Sequence, residues 1–227
     1  MCGRFVVGDP DQEIWADWLQ TDRPAPWPEP NWNLAPTQTA AIVTADDGAR
    51  RQRLARWGLV PRWWRKPLAE LKAATFNARS EEAHRKPMFR DAWARARCLV
   101  PALGYYEWTG KPGAKRAHYV TLKSNAPGIV FAGLWAQAWP EGRHGDAALT
   151  SFTILTCAAG SATAHLHPRS PVILAEADWG DWLAGTAGPE LMRPPPDELV
   201  ASWEVDARVG RVRENGAALI EPVGLGL

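Results

Sequence analysis

The stretch Cys98-Leu99-Val100-Pro101-Ala102-Leu103-Gly104-Tyr105-Tyr106-Glu107-Trp108 decides the fold class. Two apolar and aromatic runs, 98–101 and 105–108, flank a break that contains a glycine. Runs this short, rich in β-branched and aromatic residues and bounded by turn residues, read as two β-strands. Outward from this pair the same punctuation recurs. Strands are expected at 3–7, 39–44, 54–60 (stopped by Pro61), 117–122 after the Lys111-Pro112-Gly113 turn, 128–135, 152–156, 172–174 and 202–205. A loop around 141–145 joins the strands at 128–135 and 152–156.

Helical patterns are fewer. One is expected from Asp9-Pro10 through Leu19, with Asp9 as N-cap and Pro10 at the first helical position. Others are expected at 80–86, with Ser80 as cap, and at 88–96, 160–165 and 176–183. Residues 23–30 are a proline-rich loop, too short and stiff to link domains, and 62–66 form a basic, aromatic loop. There is no βαβ rhythm and no internal repeat. The expected fold is α+β, one domain over residues 1–227, with a strongly curved and mostly antiparallel sheet flanked by short helices.

Composition removes several classes of function. Three cysteines (Cys2, Cys98, Cys157) without a CxxC pair argue against a disulfide framework and against a zinc site. No metal and no cofactor is expected. The apolar run Phe5-Val6-Val7 is too short for a signal peptide, and Asp9 follows it. No stretch approaches the ~18 apolar residues of a membrane helix. A cytoplasmic protein that does not engage membranes is expected, with thiols kept reduced. No oligomer interface is legible, so a monomer is expected.

Charge is uneven. Between Arg50 and Arg97 there are 14 Lys/Arg against 4 Asp/Glu, so this segment carries +10 and the remainder −9 of the net +1. A basic segment in an otherwise acidic chain reads as a polyanion-facing surface or as a solvated helix face. Within it, Trp57-Gly58-Leu59-Val60-Pro61-Arg62-Trp63-Trp64-Arg65-Lys66 interleaves indoles with cations. Single-stranded nucleic acid needs that combination, rings for bases and charges for the backbone. Trp57 also reads as a core residue. Trp63 and Trp64 cannot easily both point inward from an extended loop.

Four groups could carry chemistry. In Met1-Cys2-Gly3-Arg4-Phe5, loss of Met1 leaves a cysteine with a free α-amine and a β-thiol. The amine condenses with an aldehyde to a Schiff base, and the thiol closes on the same carbon to a thiazolidine. Glu107 is an acid embedded in an aromatic strand, which raises its pKa and suits a proton shuttle if it is buried; otherwise it faces solvent. Alternation puts it on the same face as Tyr105. In His165-Leu166-His167-Pro168-Arg169-Ser170-Pro171 two prolines stiffen a loop that can aim the His167 imidazole and the Arg169 guanidinium, although a surface histidine is the other reading. In Thr75-Phe76-Asn77-Ala78-Arg79, the Asn77 amide can orient an amine or an aldehyde oxygen and the Arg79 fork can clamp a phosphate, or the pair is a turn asparagine with a solvated arginine.

Five blocks in this order, MCGRF, WGLVPRWW, FNARSEE, RCLVPALGYYEW and HPRSPVIL, together resemble the SRAP family (SOS response-associated peptidase, abasic site processing). They run from Cys2 to Leu174, about three-quarters of the chain. The resemblance implies a barrel-like antiparallel core. It implies removal of Met1, by the protein itself or otherwise. It implies a thiazolidine between Cys2 and the ring-opened aldehyde of an abasic site in single-stranded DNA, which shields the lesion during the DNA damage response. By the matching motifs, Asn77 positions the Cys2 amine and the sugar, Glu107 is the acid/base group, and His167 assists Schiff-base chemistry and cross-link reversal. Arg79 and Arg169 hold phosphates flanking the lesion. Arg4, Trp57, Pro61, Trp63 and Trp64 belong to the DNA-facing wall. Nucleoid association is expected when the protein is bound to DNA, and contact with the replication machinery is not readable from the sequence. Two rivals stay open: an N-terminal-nucleophile amidohydrolase or peptidase using the same Cys2, and a non-catalytic single-strand binder.

Overall fold

The structure, a computed structural model, describes residues 2–22, 27–111, 113–142 and 148–224. Expectations that touch Met1, 23–26, Pro112 and 143–145 lie outside the described residues.

The strands are β1 (Arg4–Val6), β2 (Thr39–Asp46), β3 (Ala49–Trp57), β4 (Asn77–Arg79), β5 (Arg97–Ala102), β6 (Gly104–Thr109), β7 (Arg116–Leu122), β8 (Ile129–Ala138), β9 (Leu149–Ala158), β10 (Arg169–Pro171) and β11 (Val200–Val205). The α-helices are α1 (Gln12–Leu19), α2 (Ser80–Ala83), α3 (Arg90–Arg95), α4 (Ser161–Ala164) and α5 (Trp179–Ala184). The opening stretch is indeed two strands, β5 and β6, but they enter different sheets. β5 pairs with β2 and β8, whereas β6 pairs with β1 and β7.

The larger sheet closes on itself. β9, β3, β2, β5 and β8 form a ring, because β8 also pairs with β9. Closure satisfies strand edges that would otherwise be open. β9 runs on past the ring and carries β4 in parallel on one side and β10 antiparallel on the other. The second sheet, β1-β6-β7-β11, is antiparallel throughout. Among the described residues, strands pair in parallel where β9 meets β3 and β4, and an isolated parallel bridge joins Thr21 to Arg50.

Three apolar layers hold these sheets. Between them lie Phe5, Trp57, Tyr105, Phe131 and Phe152; Phe5 meets Trp57 edge-on at 4.9 Å and Phe131 at 6.0 Å. On the other side of the ring, α1, α3 and α5 pack Trp15, Trp93, Trp179 and Trp182. Outside the second sheet lie Tyr106, Tyr119, Val209 and Leu219. The period of two along β6 sends Tyr105 inward and Tyr106 outward. Each buried ring contributes roughly 1.5–3 kcal/mol by leaving water; Trp15, Trp57, Trp179 and Trp182 are buried, and eight more tryptophans are partly buried against these clusters.

Local differences from the sequence reading have physical causes. α1 starts after Asp11, not Asp9, because the Asp11 carboxylate accepts from Glu13 N and Ile14 N. Gly8, turned at φ +73°, still bridges to Asn31. β3 spans 49–57 rather than 54–60. Its arginines pair along the whole of β2, and Gly58, at φ +123°, turns the chain away. The arginine-rich start of β3 is therefore a strand: Arg53 is bound to Asp46 and lies over Trp135, and Arg50 lies over Trp179. Ser80 is the first residue of α2 and not its cap, and the helix stops at Ala83. The strand expected at 172–174 is β10, three residues earlier, although Ile173 still bridges to Phe131. No helix among the described residues is long and apolar enough to cross a membrane.

Candidate functional site

β1 is gripped on both edges. It pairs with β6 through Arg4–Tyr106 and Phe5–Tyr105, and Phe5 exchanges backbone hydrogen bonds with Leu34 at 3.2 and 2.9 Å. Phe5 is locked among Trp57 and Phe131. These contacts fix the residues just before β1, and Cys2 is fully buried. Its Sγ donates to Arg4 O at 3.4 Å. Burial, reinforced by the Glu107 carboxylate, pushes the thiol far above its ordinary value of 9.0. The thiol is therefore neutral at physiological pH, since the charged form has lost its water and gained a like charge.

Glu107 is only 6% exposed. It acts on Cys2 from the face of β6 that also carries Tyr105, as alternation requires. The Tyr105 hydroxyl is pushed up by burial and further by Cys2 and Glu107. Asn77 is the first residue of β4, opposite Ile154 of β9. Its Nδ2 donates to Cys2 O at 2.6 Å. Its Oδ1 is buried with no hydrogen-bond partner among the described residues. Asn77 is thus a strand residue holding the Cys2 backbone, not a turn asparagine. Cys2, Asn77, Tyr105 and Glu107 come together in one buried cluster between the two sheets, the inner chamber of the site.

His167 is half-buried. Leu166 packs in the same apolar cluster as Cys2 and Tyr105, while His165 is exposed. The His167 Nδ1 is 3.0 Å from Arg169 N and 3.1 Å from Arg169 O. It accepts from the first as the Nε2–H tautomer or donates to the second, so the loop itself fixes the ring. Arg169 makes a bidentate pair with Glu81, at 3.1 and 2.9 Å, and also bonds Thr156. Burial raises the Glu81 carboxyl, but its bonds to Arg169 outweigh that and hold it below the usual range. Arg169 therefore spends its fork on bracing α2 against β9, whereas Arg79 is exposed.

The rim corrects part of the DNA-facing reading. Trp57 has no exposed surface; it donates to Phe76 O at 2.8 Å and stacks on Phe152. Pro61 is buried as well. Neither offers a face to a base, because the end of β3 dives into the central core; they shape the wall from behind. Trp63 is 49% exposed, and its Nε1 donates to Pro87 O at 3.4 Å. Trp64 is half-buried and packs beside Val60, Ala138 and Leu149. Arg4 donates to Asn33 Oδ1 at 2.7 Å and to Val209 O at 3.0 Å, and lies over Trp108. With Gly3, Lys115 and Gly210 it lines an open groove of about 410 Å³ at the residue after Cys2.

Sequence reasoning missed Trp139, which is 43% exposed with the Arg65 guanidinium 5.9 Å from its ring. Nothing local marks it. It joins the rim because Glu141 N donates to Arg65 O at 2.7 Å, folding the end of β8 onto the basic loop. Among the described residues no group of three or more His, Cys, Asp and Glu side chains is placed to hold a metal ion.

Comparison with known proteins gives this site a setting. The profile of the family described as SOS response associated peptidase (SRAP) matches residues 1–212. The chain is 31% identical over 231 residues to the abasic site processing protein YoqW of Bacillus subtilis (strain 168), covering 97% of this chain and 99% of that one. It is 27% identical over 237 residues to the abasic site processing protein YedK of Escherichia coli (strain K12), covering 98% and 100%. A crystal structure of a Bacteroides thetaiotaomicron protein superposes with a TM-score of 0.84 at 20% identity, over 97% of this chain and 99% of that chain.

Proposed function

We propose that this chain, which belongs to the SOS response associated peptidase (SRAP) family, processes abasic sites in DNA by capturing them covalently on Cys2. Hydrolysis of the Met1–Cys2 peptide bond, by the chain's own chamber, consumes one water, releases methionine and frees the Cys2 amine. Glu107 moves a proton between the sugar's C1′ hydroxyl and its ring oxygen, opening the ring to an aldehyde. The amine attacks C1′, and water leaves as the Schiff base forms. The thiol then adds across the C=N bond: sulfur takes the carbon, and the proton goes to nitrogen. The thiazolidine removes the aldehyde that would otherwise drive β-elimination and strand breakage, so the cross-link shields the lesion.

The hydrogen bond of 2.6 Å from Asn77 Nδ2 to Cys2 O, beside the Glu107 carboxyl, carries this reading. It fixes the backbone of the one residue that can present nitrogen and sulfur to the same carbon. The partnerless Asn77 Oδ1 is an acceptor for the amine or for the sugar. A buried chamber suits the chemistry, because dehydration to the imine is favoured where water is excluded. His167 assists imine formation and reversal. Arg79 meets a flanking phosphate, and Arg169 does so by exchanging Glu81 for it. Trp63 and Trp64 line the path of the single strand.

The test is a denaturing gel of labelled single-stranded DNA, with and without an abasic site. The unaltered protein should give a band of retarded DNA that survives heat and detergent, only with the abasic strand. An equal band from Cys2→Ala would overturn the role of Cys2. Turnover of a peptide or glutamine substrate without DNA would favour the amidohydrolase. Salt-sensitive binding blind to the lesion would favour the passive binder.

A further inference from the structure

Next to the chamber lies a second pocket, of about 140 Å³, against the ~30 Å³ that one water occupies in the liquid. Thr37, Arg56, Leu71, Thr75 and Phe76 are on its walls. Phe76 precedes Asn77, so the pocket and the Cys2 chamber share one strand of wall. Arg56 is the last residue but one of β3, just before Trp57, and its guanidinium folds back over Gly58. Its Nη1 donates to Gly58 O at 2.8 Å. A side chain at Gly58 would strike it, since an added Cβ would lie 2.8 Å from Nη1, and the φ of +123° also demands glycine. The chain thus leaves room for this guanidinium.

The guanidinium is half-buried. Burial lowers the Arg56 pKa, and no carboxylate among the described residues offsets that burial. A guanidinium has five N–H donors, and the one bond to Gly58 O leaves most of them available to the pocket. One lining residue is strained. Thr37 sits at φ +78°, a region that β-branched residues avoid. It is held there by its N–H donating to Trp57 O at 2.7 Å. Strain of this kind collects where a backbone must present something to a ligand. Thr37 and Thr75 also line the pocket, and Thr75 Oγ1 would lie 3.8 Å from a Cβ added at Gly58, so one guanidinium and two hydroxyl-bearing residues converge there.

We propose that this pocket is an oxyanion subsite, formed by Arg56 with Thr37 and Thr75, that binds one backbone phosphate of the DNA strand next to the lesion. It rests on the proposed capture of abasic DNA and extends it by a contact away from the reacting carbon. The fork and two hydroxyls match the tetrahedral phosphodiester, and the bond registers the strand so that the base-free sugar falls at Cys2.

The test is a scan in which each phosphate of a synthetic abasic strand is replaced, one at a time, by a neutral methylphosphonate. Affinity is measured for the unaltered protein and for Arg56→Gln. One position beside the lesion should weaken the unaltered protein tenfold or more and leave Arg56→Gln indifferent. The slope of log affinity against log salt should fall by about 0.7 in Arg56→Gln, the value for one phosphate on a single strand. If every position costs both proteins equally, the subsite is refuted; absence of any DNA binding refutes it as well. If inorganic phosphate raises the Tm of the unaltered protein but not of Arg56→Gln, and no methylphosphonate position is sensitive, the pocket belongs to a free anion and the assignment to DNA falls. Should Arg56→Gln fail to fold, Arg56→Lys takes its place. It should keep the salt slope, through its charge, and lose affinity at the same single phosphate, through its missing fork. Covalent capture by the unaltered protein is read on the same strands. Its failure would count against the proposed chemistry at Cys2 and would leave the phosphate scan interpretable.

Discussion

The inner chamber and the outer rim of this site are built on opposite principles. Cys2 is fully buried and Glu107 is 6% exposed, whereas Trp63 and Trp139 on the rim are 49% and 43% exposed. Inside, lost water and close charges displace the ionisation of Cys2 and Tyr105. Outside, cations such as Arg65 and Arg79 lie in water, where salt screens them within about 10 Å at 0.1 M. The chamber is therefore suited to chemistry and the rim to recruitment. Alterations in the two regions should fail in different ways.

The largest effect is expected in the chamber. Cys2→Ala should abolish covalent capture while reversible, salt-sensitive DNA binding persists, as read by a denaturing gel beside an anisotropy titration. Glu107→Gln should slow capture by about 10²–10⁴, the usual contribution of a positioned acid/base group, as measured by single-turnover kinetics. Trp57→Ala separates wall from rim. If Trp57 is core, the protein loses about 3–5 kcal/mol of stability, read by denaturant unfolding. If it were a stacking surface, stability would be unchanged and only DNA affinity would fall.

Smaller effects sharpen the contrast. Trp63→Ala should cost about 1–3 kcal/mol of single-strand affinity, the worth of one stacked base, with little change in the rate of capture at saturating DNA. pH separates the regions by sign. The folded-state pKa of Cys2 lies above its ordinary value of 9.0. Below pH 9 both folded and unfolded chains hold the proton, and stability does not vary on its account. Above pH 9 the unfolded chain releases the proton first, so stability falls as pH rises. Buried Cys98 and Tyr106 act in the same direction. Near the rim, Arg169 holds Glu81 below its ordinary 4.5. That contribution is present above pH 4.5 and is lost as pH falls through the folded-state value. Tm followed against pH should therefore fall at the alkaline end in the unaltered protein, and Cys2→Ala should reduce that fall. Arg169→Gln should reduce only the acid-side fall.

Much of the chamber was legible because short-range rules apply to it. Alternation alone puts Glu107 with Tyr105, and the five ordered blocks bring Cys2, Asn77, Glu107 and His167 into one reading. The barrel-like core was expected through the family resemblance, but the pairings that close the ring are not legible in the residues themselves. Closure depends on β9 accepting β8, β3, β4 and β10 at successive registers, and no local pattern encodes a strand with so many neighbours. For the same reason Trp57 and Trp63 look alike in sequence, both indoles among cations, until Gly58 turns one into the core and leaves the other in solvent. The +10 segment divides likewise. Arg50, Arg53 and Arg97 lie over indoles that pack on the body of the fold, whereas Arg65 and Arg79 remain on the surface. Charge counted along the chain overstates charge offered to a ligand.

The most direct measurement is the intact mass of the protein after incubation with a single-stranded oligonucleotide that carries one abasic site. Capture through an N-terminal cysteine gives a species equal to the chain without Met1 plus the oligonucleotide, less one water. Its oligonucleotide should map to the N-terminal peptide and be absent from Cys2→Ala. A protein that has lost Met1 and gains no oligonucleotide mass, or an adduct that maps to any residue other than Cys2, would contradict the chemistry proposed for the chamber.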